Sequence, residues 1–198
     1  MRNQFMFVLF AMLFSIESFS QNANSIFFTY SLSNPEPVYN RSVDGGAGYK
    51  AVASNSFGLR YFVKSNKIIT LETGIDYSSF HFKLDYVGIP DIAIPDITQS
   101  IKVISVPVYA HLTFLRYLFV NGGLLFDLEI DKKVSDIDKQ TGIGLGLGIG
   151  LKYKYRKVNV FLNPFFQRHG VVGLGKQDSG TRQSIINPGG RIGIGYSF

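Results

Sequence analysis

The sequence predicts an all-β protein, an eight-stranded antiparallel up-and-down transmembrane β-barrel, from three observations. Apolar residues alternate with small or polar residues at a period of two in eight separate segments. The joins between these segments alternate between long and short, as in barrels with short periplasmic turns and longer outer loops. The chain is 45% hydrophobic and only 17% charged, yet beyond its N-terminus no apolar run approaches the roughly 20 residues of a membrane-spanning helix.

The N-terminal residues 1–20 have the pattern of a cleaved secretory signal peptide. Arg2 precedes an apolar stretch over 5–14, and Ser18 and Ser20 flank Phe19 as in a small-x-small cleavage site. We therefore expect residues 21–198 to be exported and to form one barrel domain in the outer membrane. The chain has no cysteine, which excludes a disulfide scaffold, a thiolate metal site, a cysteine nucleophile and a lipidated-cysteine anchor.

The first four predicted strands each carry bulky apolar residues on one face and polar residues on the other. The first is 25–33, and the second, over 56–64, alternates except that Phe62 lies on the polar side. The third, over 69–78, has Glu72 and Asp76 on its polar face, and the fourth, over 105–114, has His111 there. This period of two predicts strands with two distinct faces.

The last four predicted strands continue the alternation and include its clearest example. The fifth is 118–129, the seventh is 158–167 and the eighth is 191–198. The sixth, over 141–153, places glycine at every even position from 142 to 150 and a bulky residue at every odd one. A helix would lose up to about 1 kcal/mol at each glycine, whereas a strand gathers them on one face. Small residues suit the crowded bore of a narrow barrel, so the bulky face is predicted to meet lipid.

The joins set the orientation of this barrel. Short joins are predicted at 65–67, near Arg116, and near Tyr155 and Arg156, whereas the joins over 34–50, 85–100, 131–140 and 169–183 are long. An even number of strands places both termini on the side of the short turns, which is the periplasmic side.

Strand parity also predicts which charged side chains fill the bore. The inward set is expected to be a structural polar network, nearly balanced in charge, and a ligand site or proton path is the alternative. Its members are Arg60, Glu72, Asp76, His111, Asp127, Glu129, Lys152 and Arg191. Counting through the turns places Arg60 directly across from Glu72. The same counting sets Gly150 opposite Phe161 and Gly146 opposite Phe165, which favours a filled bore over an open pore.

Several short motifs resemble the PorT-like family of eight-stranded outer-membrane β-barrels and, more distantly, the small OmpX and OmpA barrels. They lie at 57–61, 71–77, 106–109, 120–123 and 195–198 and together span most of the exported chain. The resemblance implies an outer-membrane location and this fold, but its members have varied roles and supply no mechanism. In this class a terminal aromatic residue is read by the barrel-insertion machinery, which implies that role for Phe198. The alternative is that Phe198 is an interfacial girdle residue.

Other candidate sites are weaker. His81, His111 and His169 lie on different segments, and Asp131, Asp136 and Asp138 lack the spacing of a calcium loop, so we expect no metal and no cofactor. His81 with Ser78 or Ser79 is the only arrangement placed for catalysis near the outer rim, and nothing orients that histidine. The basic run 152–157 is expected to be a periplasmic turn with interfacial tyrosines rather than a nucleic-acid site.

These patterns predict a function class rather than a reaction. We expect an outer-membrane barrel with a structural or interaction role, surrounded by membrane lipid and able to serve a larger envelope or secretion complex. The tandem repeat over 89–97, with two Ile-Pro-Asp-Ile units, would form a lid on the rim or a docking edge for an envelope protein. The alternatives are a narrow pore or binding pocket for a small solute or lipid and, less favoured, a lipid-modifying enzyme.

Overall fold

The computed structural model describes residues 24–39, 48–64, 68–85, 98–114, 117–132, 137–174 and 183–198. The predicted signal peptide at 1–20, the Ile-Pro-Asp repeat at 89–97 and Asp136 lie outside these residues. Within the described ranges, no helix has the length and apolarity needed to cross a membrane.

The described residues form one closed antiparallel β-barrel. In chain order the strands are β1 (Ser25–Ser33), β2 (Glu36–Tyr39), β3 (Gly48–Lys64), β4 (Ile69–Asp85), β5 (Thr98–Phe114), β6 (Leu118–Lys132), β7 (Gly142–Tyr155), β8 (Val158–Gly173) and β9 (Gln183–Ser197). Each long strand from β3 to β9 pairs with its neighbours in sequence, and β1 pairs with both β3 and β9 and so closes the barrel.

Two of the nine strand segments are parts of one barrel strand. Ser33 pairs with Gly189 and Glu36 pairs with Ile186, so β1 and β2 follow β9 in the same register. Pro35 lies in the interruption, where its missing N–H cannot continue the ladder. The barrel therefore has eight strands, and the predicted fold class is confirmed.

The outward face of the barrel is an apolar belt edged by tyrosines. Phe28, Leu147 and Ile192 are more than half exposed on it. Large apolar side chains would cost about 1.5–3 kcal/mol each if left in water, so this surface belongs in lipid. Tyrosines lie at both ends of the belt. Those at the turn end are Tyr117, Tyr153, Tyr155 and Tyr196, and those at the loop end are Tyr30 and Tyr77.

Beyond the upper tyrosines the two faces exchange their chemistry. In β4 the inward residues up to Ser78 are polar, but the next two inward residues are Phe80 and Phe82, while Ser79 and His81 occupy the outward positions. A barrel needs only about 9–11 residues per strand to cross the membrane. The outer ends of β4 and β5 therefore form a water-facing section with an apolar interior, which the sequence pattern did not predict.

Two apolar layers cross the interior of the barrel. The outer core consists of Phe80, Phe82, Ile101, Val103, Ile137 and Ile185, all buried. The aromatic layer, near the turn end, consists of Phe27, Phe62, Phe119 and Phe161. Its ring centroids lie 4.8 Å apart for Phe27 and Phe62 and 5.2 Å apart for Phe27 and Phe161.

The predicted registers at two turns are wrong by two residues. Arg60 pairs with Gly74, not Glu72, because the connection from Lys64 to its partner Thr70 is longer than expected. On β7 and β8 the two-residue turn is Arg156-Lys157, not Tyr155-Arg156, and Arg156 has a φ of 55°. A positive φ of this kind is what a tight hairpin turn requires.

The second register error changes which glycines accommodate the bulky rings. Phe161 lies across from Lys152 on β7 and Phe165 lies across from Gly148, so the two predicted glycine partners are wrong. Glycine still faces these rings, but largely from other strands. Gly193 and Gly189 on β9 pair with Phe161 and Phe165, and Gly150 pairs with Phe119 on β6.

Candidate functional site

The middle of the bore holds a charge cluster built around Arg60. This side chain is fully buried, and its Nη1 donates to Glu72 Oε1 at 2.9 Å and its Nε to Asp76 Oδ1 at 3.0 Å. Its Nη2 also contacts Asp76 Oδ2. Gly74 makes room for it, since a Cβ there would lie 2.9 Å from Arg60 Cα. One guanidinium thus bridges two carboxylates from β4.

A second guanidinium completes the charge balance of this cluster. Arg191 is buried, with Nη2 3.6 Å from Asp76 Oδ2 and Nε donating to Ser31 Oγ at 3.1 Å. Its guanidinium lies 4.7 Å from the centre of the Phe165 ring. Two cations and two carboxylates therefore share the space, which is the condition under which buried charges are tolerated.

His111 and Asn121 lie between this cluster and the aromatic layer. Asn121 Nδ2 donates to Glu72 Oε2 at 2.9 Å, and His111 Nδ1 lies 3.4 Å from the same oxygen. The His111 ring stacks on Phe119 at 4.1 Å between centroids. The polar middle of the bore is thereby joined directly to its apolar layer.

Asp127 forms a separate group beneath the outer core. Ser105 Oγ donates to Asp127 Oδ1 at 2.6 Å, and His169 Nδ1 lies 3.0 Å from Asp127 Oδ2. The His169 ring packs on Phe80 at 5.1 Å. This trio differs from a nucleophilic triad, because the serine bonds to the carboxylate instead of the imidazole and all three side chains are buried.

The eight predicted bore residues thus fall into groups instead of one network. Arg60, Glu72, Asp76, His111 and Arg191 come together. Asp127 has its own partners, Glu129 is half-buried at the loop end, where its Oε2 accepts from Gln140 N at 2.9 Å, and Lys152 is half-buried at the turn end.

Sequence reasoning missed one polar member of the bore. His169 falls in a predicted long join but lies inside β8 and is buried. Tyr109 lies on the polar face of the fourth predicted strand without being among the predicted bore charges, and its hydroxyl accepts from Gln167 Nε2 at 3.1 Å inside the bore. The inward parity of β8, which runs through Asn163 and Gln167, could have located His169 had it been followed past 167.

A cavity of about 570 Å³, here called the vestibule, lies on the turn side of the aromatic layer. Phe27, Phe62 and Phe161 line it together with His111. Lys64, Lys152 and Lys154 also line it, and Lys152 Nζ donates to Thr113 Oγ1 at 2.6 Å. Short turns and both strand termini of the barrel lie at this end, which is the periplasmic end of such proteins.

The remaining predicted residues lie away from the bore. Ser79 Oγ and His81 Nε2 are 3.2 Å apart on the outward face of β4, whereas Ser78 faces inward, where it accepts from Ser56 Oγ at 2.8 Å. No carboxylate among the described residues contacts His81. Phe198 is 58% exposed, and its N–H donates to Asn24 O at 3.0 Å.

Asp131 and Asp138, the two described members of the aspartate group that the sequence predicts in one loop, have structural partners. Asp131 ends β6 and pairs with Lys102 at 3.0 Å on the exposed outer section, where this hydrogen bond raises the pKa of Lys102. Asp138 Oδ2 accepts from Gln183 N at 2.9 Å. Within the described ranges, no group of three or more histidine, aspartate or glutamate side chains could hold a metal ion.

Comparison with solved structures identifies the fold. OprG from Pseudomonas aeruginosa, an outer membrane protein, aligns with a TM-score of 0.57 at 12% identity over 89% of this chain and 96% of that one. Ail, the attachment invasion locus protein of Yersinia pestis, aligns with a TM-score of 0.44 at 15% identity over 89% of this chain and 98% of that one. No protein-family model and no curated protein matches the sequence. The chain therefore has the fold of the small outer-membrane β-barrels, which supports an outer-membrane location, and its apolar belt fits a lipid bilayer.

Proposed function

We propose that this chain is a non-conducting, non-enzymatic outer-membrane barrel that acts as a structural or interaction protein through its outer end. The closure of the bore by two apolar layers, with a paired charge cluster between them, is the observation that carries this proposal. An eight-stranded barrel is just wide enough to be filled by its own side chains. With the bore closed, the surfaces at the two ends of the barrel are the parts available to bind partners.

Opening the bore would be costly at each layer. A passing ion would have to displace the rings of the aromatic layer and separate Arg60 from Glu72 and Asp76. Breaking a buried charge pair costs about 3–5 kcal/mol. This argues against the alternative of a narrow pore for a small solute.

The outer section provides a platform for partners above the lipid. Its outward face carries polar groups such as Ser79, His81 and the Lys102–Asp131 pair, and its outer core stiffens it from within. The resemblance to PorT-like barrels favours an accessory role in an envelope or secretion complex. In this proposal Phe198 is the signal for the insertion machinery and lipid surrounds the belt.

Conductance and co-purification test the proposal together. In planar bilayers we expect no discrete current steps from the purified barrel. The difference in gel mobility between unheated and heated samples verifies that the protein used is folded. Reproducible steps would contradict the closed bore. Co-purification from solubilised outer membrane should recover a stable envelope partner. Lipid hydrolysis that is lost in His81→Ala would instead support an enzyme.

A further inference from the structure

The vestibule combines an apolar floor with a cationic rim. Phe27, Phe62 and Phe161 form the floor, and Lys64, Lys152 and Lys154 line the same cavity. The other lining residues are histidine, tyrosine, serine, threonine and asparagine, so no carboxylate side chain lines the cavity in the part of the chain that the structure describes. Three ammonium groups around one concave surface create a positive potential that attracts anions.

His111 supplies a second, independent observation. The side chain is 4% exposed, and its Nδ1 faces Glu72 while it also lines the vestibule. Its Nε2 is buried and has no hydrogen-bond partner among the described residues. Buried polar atoms are almost always hydrogen-bonded, so His111 adds a ring with unused hydrogen-bonding capacity to the lining, and this ring lies close enough to the cavity to report on an occupant.

We propose that the vestibule binds a small organic anion with an apolar body, that is, an aromatic or aliphatic carboxylate. Its volume of about 570 Å³ lies within the roughly 300–1,000 Å³ of small-molecule sites. The apolar body packs on the phenylalanine floor, and the carboxylate meets the lysines of the rim. Fatty acids released from membrane lipid and soluble aromatic acids share this chemistry.

The vestibule lies at the opposite end of the barrel from the proposed interaction surface, and its binding is tested by a separate experiment. It opens toward the periplasm and is separated from the outer end by the aromatic layer and the charge cluster. Binding here requires no passage through the bore. A barrel that shows channel steps could still bind the anion, and a silent barrel could fail to bind it, so the two outcomes are independent.

Calorimetric titration of the barrel in phosphatidylcholine nanodiscs tests the proposal, with empty nanodiscs as the blank. The probes are 2-naphthoate, decanoate and the neutral 2-naphthylmethanol. We expect saturable binding of at least one carboxylate and binding of the neutral alcohol that is weaker by about threefold or more, the change expected for one screened ion pair. Tighter binding of decanoate would favour a lipid-derived ligand, and tighter binding of naphthoate a soluble aromatic acid.

Matched lysine variants separate the rim from general surface charge. Lys152→Met and Lys154→Met should each weaken carboxylate binding by about threefold. Lys157→Met is the control, because Lys157 lies at the same end but packs over Tyr196 at 5.6 Å and does not line the vestibule. Should Lys152→Met fail to fold, Lys154→Met, whose side chain is exposed, carries the comparison.

Nuclear magnetic resonance of the isotopically labelled histidine gives a readout that should not change on titration if His111 has only a structural role. The Nε2 resonance of His111 should shift as the carboxylate saturates the site and shift less at the same concentration of the neutral alcohol. Three results would overturn the proposal: no saturable carboxylate binding, equal binding of the alcohol, or equal losses in the rim variants and in Lys157→Met.

Discussion

Replacing Arg60 with methionine should destabilise the barrel far more than breaking an exposed ion pair. The guanidinium is fully buried and joins Glu72 at 2.9 Å and Asp76 at 3.0 Å. Methionine keeps much of the apolar stem but leaves two buried carboxylates with Arg191 as the one neighbouring guanidinium among the described residues, 3.6 Å from Asp76. Removing one partner of a buried pair costs about 3–5 kcal/mol, so we expect Arg60→Met to lower the free energy of unfolding by about that amount.

Urea unfolding in lipid vesicles measures this loss. The chain has no tryptophan, so far-ultraviolet circular dichroism and the mobility of unheated protein on gels report the folded fraction. Lys102→Met is the matched control, because it breaks a pair with Asp131 whose side chains are 36% and 42% exposed. We expect no measurable change there, since exposed pairs contribute little.

A double variant tests the cause of the loss. Arg60→Met combined with Glu72→Gln restores the charge balance, because Arg191 and Asp76 remain as the one cation and the one carboxylate, and it should recover most of the stability lost by Arg60→Met alone. The reasoning is refuted if Arg60→Met costs less than about 1 kcal/mol, or if the double variant is no more stable than the single one.

Two further predictions concern a glycine and the terminal residue. Gly150→Ala should lower the free energy of unfolding by about 1–3 kcal/mol, because its methyl group would collide with the Phe119 ring and with Leu162 O. Gly190→Ala, where no atom lies within 4 Å of the added Cβ, is its control, and equal urea midpoints for the two would contradict the close packing. Deletion of Phe198 should reduce the folded barrel recovered from outer membranes, measured as the heat-modifiable gel fraction, whereas Tyr196→Phe should not. Normal recovery without Phe198 would leave it as a girdle residue.

Strand positions and faces were predictable because they depend on local alternation. The glycines of β7 fix its inward face, and the long and short joins fix the order of strands around the barrel. Lipid on one side and a narrow bore on the other enforce a period of two over most of each strand.

Exact pairing was not predictable, because it depends on turn conformation. Arg156, with its positive φ, is the first residue of the β7–β8 turn, so the turn lies one residue later than predicted. Moving a turn by one residue changes the pairing of the two strands by two residues. The β3–β4 connection has the same effect, so Arg60 reaches Glu72 diagonally instead of directly. The apolar outward pattern of β8 stops at Phe166, so it predicts an end to the strand before His169, whereas the strand continues to Gly173.

The exchange of faces beyond Tyr77 fixes how deep the barrel sits in the bilayer. Sliding inward would pull Lys102 and His81 into hydrocarbon, at about 2–4 kcal/mol for a lysine at the midplane, and sliding outward would expose the apolar belt to water. The molecule therefore has one preferred height along the membrane normal. From Ser78 to Asp85, β4 then rises about 18 Å above the hydrocarbon edge, which holds the outer rim at a constant distance from the lipid surface.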